Sequence, residues 1–439
     1  MLYSLPIFLL AGLSTAATLT HNALPWKLPF HVDGPHIYSS NNREVQYVGT
    51  NWAAHQEAMI PEGLQYSSIK DIVSKIRGFN LNVVRLTFAI EMVDDILDNG
   101  GDVALEDTLT RALGPTNGSI ILKKVLKNNP QFNKRTTRLQ VFDAAAKELA
   151  RQGVYVHLDN HMSKALWCCG GGDGNTWFGD TDFNVAKWIR GWEFMAKHAS
   201  KKWPSFASVG LRNELRKPDA GSPAEPYDWY TWHTHMTAAA EAVHAAAPDT
   251  LITFSGLNYD VTLSPVVQGQ LLNGTSGTST AGKSALFTPS SYPYAHKIVF
   301  ELHKYDFENT QASCSDFGAS LYNNGYKTLN TSDPTAKLHY PMLLSEWGFI
   351  QNGTYWNQTT YNKCLIEFMG KYKPSGWMQW ELAGSFYRKT SYATGVQVQD
   401  LDEAWGLLDH EWKKTRSPVT VENSLEKMIE ATLKSGKGY

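Results

Sequence analysis

The stretch TTRLQVFDAAAKELARQGVYVHLDNH, residues 136–161, carries a helical pattern followed by a short apolar run. The helix is expected to end at Gly153, the residue type a helix C-terminus prefers. The run VYVHLDNH, residues 154–161, then reads as a buried strand that ends on polar residues. Working outward, the same unit repeats. Upstream lie VQYVGTNWAA (45–54), a helix near 67–77 and VVRLTF (83–88). Downstream come a Trp- and Gly-rich loop, a helix near 184–202, SVGLRNEL (208–215) and a helix near 227–247. The series continues with LITFSG (251–256), IVFELHKY (298–305), MLLSEWG (342–348), a helix near 359–372, WMQWEL (377–382) and a last helix near 419–433. Eight apolar runs alternating with helices predict an α/β fold, a (β/α)8 barrel closed by a parallel sheet. Two connections stand out: residues 91–134, of uncertain structure, and residues 268–290, rich in Gly, Ser and Thr and read as loop.

Polar residues gather at the ends of these runs: Arg85, His161, Asn213 with Glu214, His303 with Tyr305, Glu346 and Trp380. In a parallel barrel those ends share one rim, where such barrels place their chemistry. One polar residue at a strand end is usually a structural hydrogen bond. Six of eight ends so furnished argue for a site. Two glutamates at the ends of runs four and seven suit retaining glycoside hydrolysis. That reaction needs two carboxyl groups about 5–5.5 Å apart, one ionised to attack and one protonated to release the leaving oxygen. Glu346 is expected to be the nucleophile, since Arg85 and Tyr305 can donate hydrogen bonds to its charged form. Glu214 is expected to be the acid/base, its pKa raised by the negative charge of Glu346. Asn213, His161 and His303 are candidates to hold sugar hydroxyls. Trp380 is a candidate floor under a sugar ring, with Trp52 and Trp177 as further candidate sugar contacts.

Together the segments NVVRLTF, HLDNH, GLRNEL, ELHKY and LLSEWG, with Trp380, resemble glycoside hydrolase family 5, the cellulase-like retaining barrels. The resemblance runs from about residue 45 to about residue 415. It implies Glu214 as acid/base and Glu346 as nucleophile, with Arg85, His161, Asn213, His303, Tyr305 and Trp380 around them. It implies a β-linked carbohydrate as substrate, a β-1,4-glucan by family habit, and no cofactor. The stretch HLDNHMSKALWCCGGGDGNTWFGD (157–180) looks like a branch known in plants and fungi. That stretch and the long connections depart from the plainest cellulase pattern. Rim insertions after strands two and five are expected to wall off one end of a cleft, which would favour exo action or a short, decorated substrate.

Composition agrees with this reading and narrows it. Of 439 residues, 12% are aromatic, including 15 Trp and 20 Tyr, and flat rings cover the apolar faces of sugars. Net charge is −2, with no basic cluster of the kind that nucleic acid or an anionic membrane requires. The first 17 residues, MLYSLPIFLLAGLSTAA, have the short apolar run and small residues of a secretory signal peptide. A single barrel over residues 18–439, secreted and monomeric, is expected. Sequons at Asn117, Asn273, Asn330, Asn352 and Asn357 suit a glycosylated surface. The four cysteines permit three pairings, of which Cys314–Cys364 with a vicinal Cys168–Cys169 is the one expected.

Three other readings compete. Gly170–Gly174, GGGDG, lacks the Lys and the strand–turn–helix setting of a phosphate loop. His157, Asp159 and His161 alternate along one strand and, with His303, could ligate a divalent metal, but this leaves the paired carboxylates unexplained. A sugar-binding protein without turnover is the third.

Overall fold

The computed structural model describes residues 24–306, 313–390 and 396–433. The proposed signal peptide, residues 1–17, lies outside them.

Eight parallel strands close into a barrel. They are β1 (Tyr47–Trp52), β2 (Val83–Ala89), β3 (Tyr155–Met162), β4 (Phe206–Gly210), β5 (Leu251–Phe254), β6 (Ile298–His303), β7 (Met342–Glu346) and β8 (Gly376–Gln379). Every strand pairs with its sequence neighbours, and β8 closes onto β1 with Gly376 opposite Tyr47 and Gln379 opposite Thr50. The helix from the opening stretch spans Arg138–Arg151. Thr137 and Gln140 form its capping box, and Gly153 takes a left-handed φ of +77° just beyond its end. His303 of β6 pairs in register with Glu346 of β7, so these two polar ends come level at the rim, while Arg85 of β2 pairs with His157 of β3 lower in the barrel.

The main apolar core lies between barrel and helices, as amphipathic helices packed on a parallel sheet require. A second, smaller core closes the opposite end of the barrel. There Trp26, Phe30, Ile37 and Val45 cover Val83, Tyr155, Ala207, Leu251, Val299 and Leu343, which lie at or near the strand starts. The barrel interior is polar. Tyr47 and His157 both hydrogen-bond to Ser208, at 3.2 and 2.9 Å. Gly210 leaves little room beside this column: a Cβ there would stand 3.0 Å from His157 Nε2 and 3.1 Å from Asp159 Oδ1, closer than either side chain could accept without shifting.

Of the two long connections, the one left open is ordered and the one read as loop is loop. Residues 91–134 are largely helical, running through Ile90–Asp98, Leu105–Leu113 and Pro115–Asn128. Arg138, fully buried, ties this excursion down through Asp95 at 2.9 Å and Asp102 at 3.0 Å. Residues 268–290 are mostly loop, with a two-residue ladder pairing Leu272–Asn273 to Ser284–Ala285. Both expected disulfides are present, Cys314–Cys364 joining two neighbouring helices and Cys168–Cys169 lying in the loop after β3.

Candidate active site

The rim above the barrel opens into a cleft of about 810 Å³. Glu346 ends β7 and is 4% exposed. Arg85 Nη1 donates to its Oε1 at 2.6 Å, and the Tyr305 hydroxyl donates to its Oε2 at 2.7 Å. Arg85 is fully buried and reaches three further acceptors: Asn51 Oδ1 at 2.9 Å, and Asp159 Oδ1 and Asn213 Oδ1 at 2.8 Å each.

Glu214 is held differently. β4 leaves the sheet at Gly210, so Asn213 and Glu214 stand on the turn beyond it, and Glu214 takes a left-handed φ of +45°. Its backbone N–H is fixed by Asp260 Oδ2 at 2.7 Å, and Arg216 Nη1 donates to its carbonyl at 2.9 Å. His303 Nδ1 stands 3.0 Å from Glu214 Oε1 and 3.6 Å from Glu346 Oε2. Carboxylate oxygens of the two glutamates come within 4.8 Å of each other.

The surroundings bias the two carboxyls apart. Burial pushes Glu214 up to about 7, with Arg216 and Arg85 only partly opposing it. Burial, not the charge of Glu346, is therefore the leading cause, which corrects the sequence-based expectation. Burial also raises Glu346, but the Arg85 charge and the Tyr305 hydroxyl pull against it. Burial lowers His303 to about 4 and His161 well below its usual value, so both imidazoles are neutral. Neutral His161 can donate from Nδ1 to Asp159 Oδ2 at 2.8 Å and receive the Asn213 amide on Nε2 at 3.4 Å.

Trp380 lines the cleft with its ring stacked on His161, 5.2 Å between centroids and 12° between planes. Trp52 and Trp177 do not reach it. Both are fully buried, with their indole N–H groups donating to Glu62 O at 3.0 Å and Pro226 O at 3.1 Å. They are core residues, because a ring with no exposed surface has no face left for a ligand. The metal set also disperses. His157 turns to Ser208 below, and Asp159 gives one oxygen to Arg85 and the other to His161. Glu214, His303 and Glu346 do bring ligand atoms within 4.8 Å, but both Glu346 oxygens are already engaged by Arg85 and Tyr305.

The cleft walls come from other places than expected. No residue of 91–134 or 268–290 lines it. Trp167, Cys168 and Cys169 after β3, Asn258, Tyr259 and Val261 after β5, and Lys389, Glu403 and Trp405 after β8 do so. The last three belong to or follow an antiparallel hairpin, Ser385–Thr390 with Gln397–Asp402, that sequence reasoning missed. Its one signal was the short apolar–polar alternation of VQVQ at 396–399.

The closed parallel barrel thus brings two carboxyls face to face in a cleft at its rim. The family profile of cellulase (glycosyl hydrolase family 5) matches residues 39–385, and the chain belongs to that family. It is 29% identical over 383 residues to a glycosyl hydrolase 5 family protein of Chamaecyparis obtusa. That alignment covers 85% of this chain and 61% of the relative, so the chain spans about three fifths of the relative's length. Among solved structures, it is similar to the catalytic domain of the major endoglucanase from Xanthomonas campestris pv. campestris, at TM-score 0.63 and 16% identity over 91% of this chain and 99% of that one. It is equally similar to the hyperthermophilic endocellulase from Pyrococcus horikoshii, at TM-score 0.63 and 17% identity over 93% and 100% of the two chains. That endocellulase has also been solved with cellotetraose, and this complex gives TM-score 0.63 and 17% identity over 93% and 99%. At such identities the structural likeness shows the fold.

Proposed function

We propose that the enzyme cleaves β-linked glycosides with retention, using Glu346 as nucleophile and Glu214 as acid/base. The observation that carries this reading is the approach of the two carboxyls to within 4.8 Å, with Glu346 clasped by Arg85 and Tyr305. Such closeness suits direct attack, whereas an inverting pair must leave room for a water at about 6.5–9.5 Å. In the first step Glu346 attacks the anomeric carbon while Glu214 gives its proton to the departing oxygen. In the second, Glu214 takes a proton from water, which displaces Glu346 from the sugar. Arg85 and Tyr305 hold Glu346 on its line of attack, and Asn213, which precedes Glu214 and shares the Arg85 guanidinium with Glu346, binds the neighbouring sugar hydroxyl.

The preferred substrate is a β-1,4-glucan or an oligosaccharide of that type, a reading supported by the endocellulases that share the fold and by Trp380 at the cleft floor. The apolar leader at residues 1–17 and five sequons that all lie exposed support secretion as a glycoprotein. Reducing-sugar release from a panel of β-glucans, mannans, galactans, xylans and aryl β-glycosides tests the assignment. One class should be cleaved, and Glu346→Ala should lose a thousandfold or more, as removal of a covalent nucleophile implies (~10³). Proton NMR during the first turnovers should show the β-anomer appearing first. An initial α-anomer, or undiminished activity in Glu346→Ala, would refute the mechanism.

A further inference from the structure

Beside Glu214, the cleft wall is a pair of sulfurs. Cys168 and Cys169 both line the cleft, and their sulfurs lie within 4.8 Å of a Glu214 carboxylate oxygen. The Asn213 amide approaches the same sulfurs at 3.5 and 3.6 Å. The loop that carries them is bolted to the catalytic turn. Arg216, fully buried, donates from Nε to Gly170 O at 2.9 Å and from Nη1 to Glu214 O at 2.9 Å, and pairs through Nη2 with Asp173. Asp173 in turn accepts from the Gly170 N–H at 2.9 Å. On its other side Trp167 packs against Phe386 and Trp380, with centroids 5.3 and 6.1 Å apart. The sulfurs thus fill the wall between the aromatic floor and the acid/base residue.

We propose that the Cys168–Cys169 disulfide is a substrate-contacting element, which takes the apolar C–H face of a β-linked pyranose next to Glu214 and keeps Asn213 in place. The inference rests on the glycosidase reading. A disulfide suits this position chemically. It is apolar and polarisable, so it can cover C–H groups as an aromatic edge does. It carries no donor, whereas two thiols or hydroxyls would each bring one. A donor beside Glu214 would favour the charged carboxylate and weaken the general acid. The remaining charged and titratable groups facing Glu214 are Arg85 from β2, Asp159 from β3, Asp173 from the loop after it, Arg216 from its own turn, Asp260 after β5, His303 and Tyr305 at the end of β6, and Glu346 from β7. Replacing the sulfurs substitutes none of them.

The test compares wild type with Cys168→Ala/Cys169→Ala and Cys168→Ser/Cys169→Ser. The readouts are kinetics on an aryl β-cellobioside and calorimetric binding of cellotetraose in a Glu346→Ala background. The expected result is a KM and a dissociation constant raised tenfold or more in both variants. The serine pair should in addition move the basic limb of kcat/KM to lower pH. Unchanged affinity and an unchanged limb in folded variants would overturn the proposal. If the double variants do not fold, the wild type is reduced with a phosphine, mass spectrometry confirming that the vicinal bond has opened. Retained cellotetraose affinity then overturns the proposal, and its loss while Cys314–Cys364 persists supports it. If the intact wild type neither binds nor cleaves any sugar in the panel, the glycosidase reading itself has failed and the proposal falls with it. Cleavage that is indifferent to the sulfurs refutes the proposal alone.

Discussion

Arg85 Nη1 sits 2.6 Å from Glu346 Oε1, and the same guanidinium spans to Asp159 and Asn213 through Nη2. One buried cation thereby positions a carboxylate, its neighbour and the adjacent amide at once. A lysine ammonium is a point charge on a flexible stem and lacks the planar fork for these contacts. Arg85→Lys should therefore lower kcat/KM by roughly 10²–10³, as loss of a preorganised electrostatic contact does. Arg85→Met should also destabilise the fold by about 3–5 kcal/mol, because Asp159 and Glu346 would remain buried without their counter-charge. Denaturant titration beside steady-state kinetics separates the two effects. A lysine variant of wild-type activity would sink the idea.

In the proposed mechanism the two carboxyls set a pH window for activity. Glu346 must be ionised, and its pKa lies above the ordinary glutamate value because it is buried, so the acid limb should sit above 4.5. Glu214 must be protonated, and burial puts it at about 7, so kcat/KM should fall as pH rises through that value. Glu214→Gln should abolish the basic limb. It should also retain more activity on aryl glycosides whose leaving groups need no protonation than on oligosaccharides. A basic limb that persists in the glutamine variant would assign the acid to another group.

Much of this site was legible because a parallel barrel converts strand order into position. Asn213, Glu214, His303 and Glu346 each follow or end an apolar run, and closure brings all such ends to one rim. Arg85 is an exception: it is the third of seven residues in β2, not at its end, and its side chain reaches Glu346 from within the barrel. Trp52 and Trp177 misled because sequence shows that a residue is aromatic but not which way its ring points. Trp52 ends β1 as a rim residue would, yet its ring turns outward to Glu62. The hairpin bearing Lys389 was hidden for a related reason. It pairs with no barrel strand, so the βα rhythm that located everything else carries no information about it.

The contrast between Trp52 and Trp380 can be measured. Trp380 stands on the cleft floor against His161, so Trp380→Ala should raise KM for oligosaccharides about tenfold or more, since the ~1.4 kcal/mol of a tenfold change is within what covering one apolar sugar face supplies. Trp52→Ala should leave the KM of the folded fraction unchanged. It should instead cost about 3–5 kcal/mol of stability, the usual penalty for emptying a buried indole site. Interchanged results would restore Trp52 to the substrate site.

The buried carboxyls beneath the site predict how stability depends on pH. Glu301 is fully buried within β6, and burial pushes it up to about 8, with Arg85 opposing and Asp159 and Glu346 adding to the shift. Asp159 is raised to about 6, again chiefly by burial. Each binds its proton more tightly in the folded chain than in the unfolded one. Their contribution to stability is therefore full below the ordinary carboxyl range and is lost as pH rises through 6 and then 8. Glu301→Gln keeps the shape of the protonated acid and removes its titration. Melting temperature should thus fall between pH 5 and pH 9 in both chains, but less steeply in Glu301→Gln, which becomes the more stable of the two at the alkaline end. Parallel melting curves across that range would mean that Glu301 is already ionised in the folded enzyme, with its charge matched by Arg85.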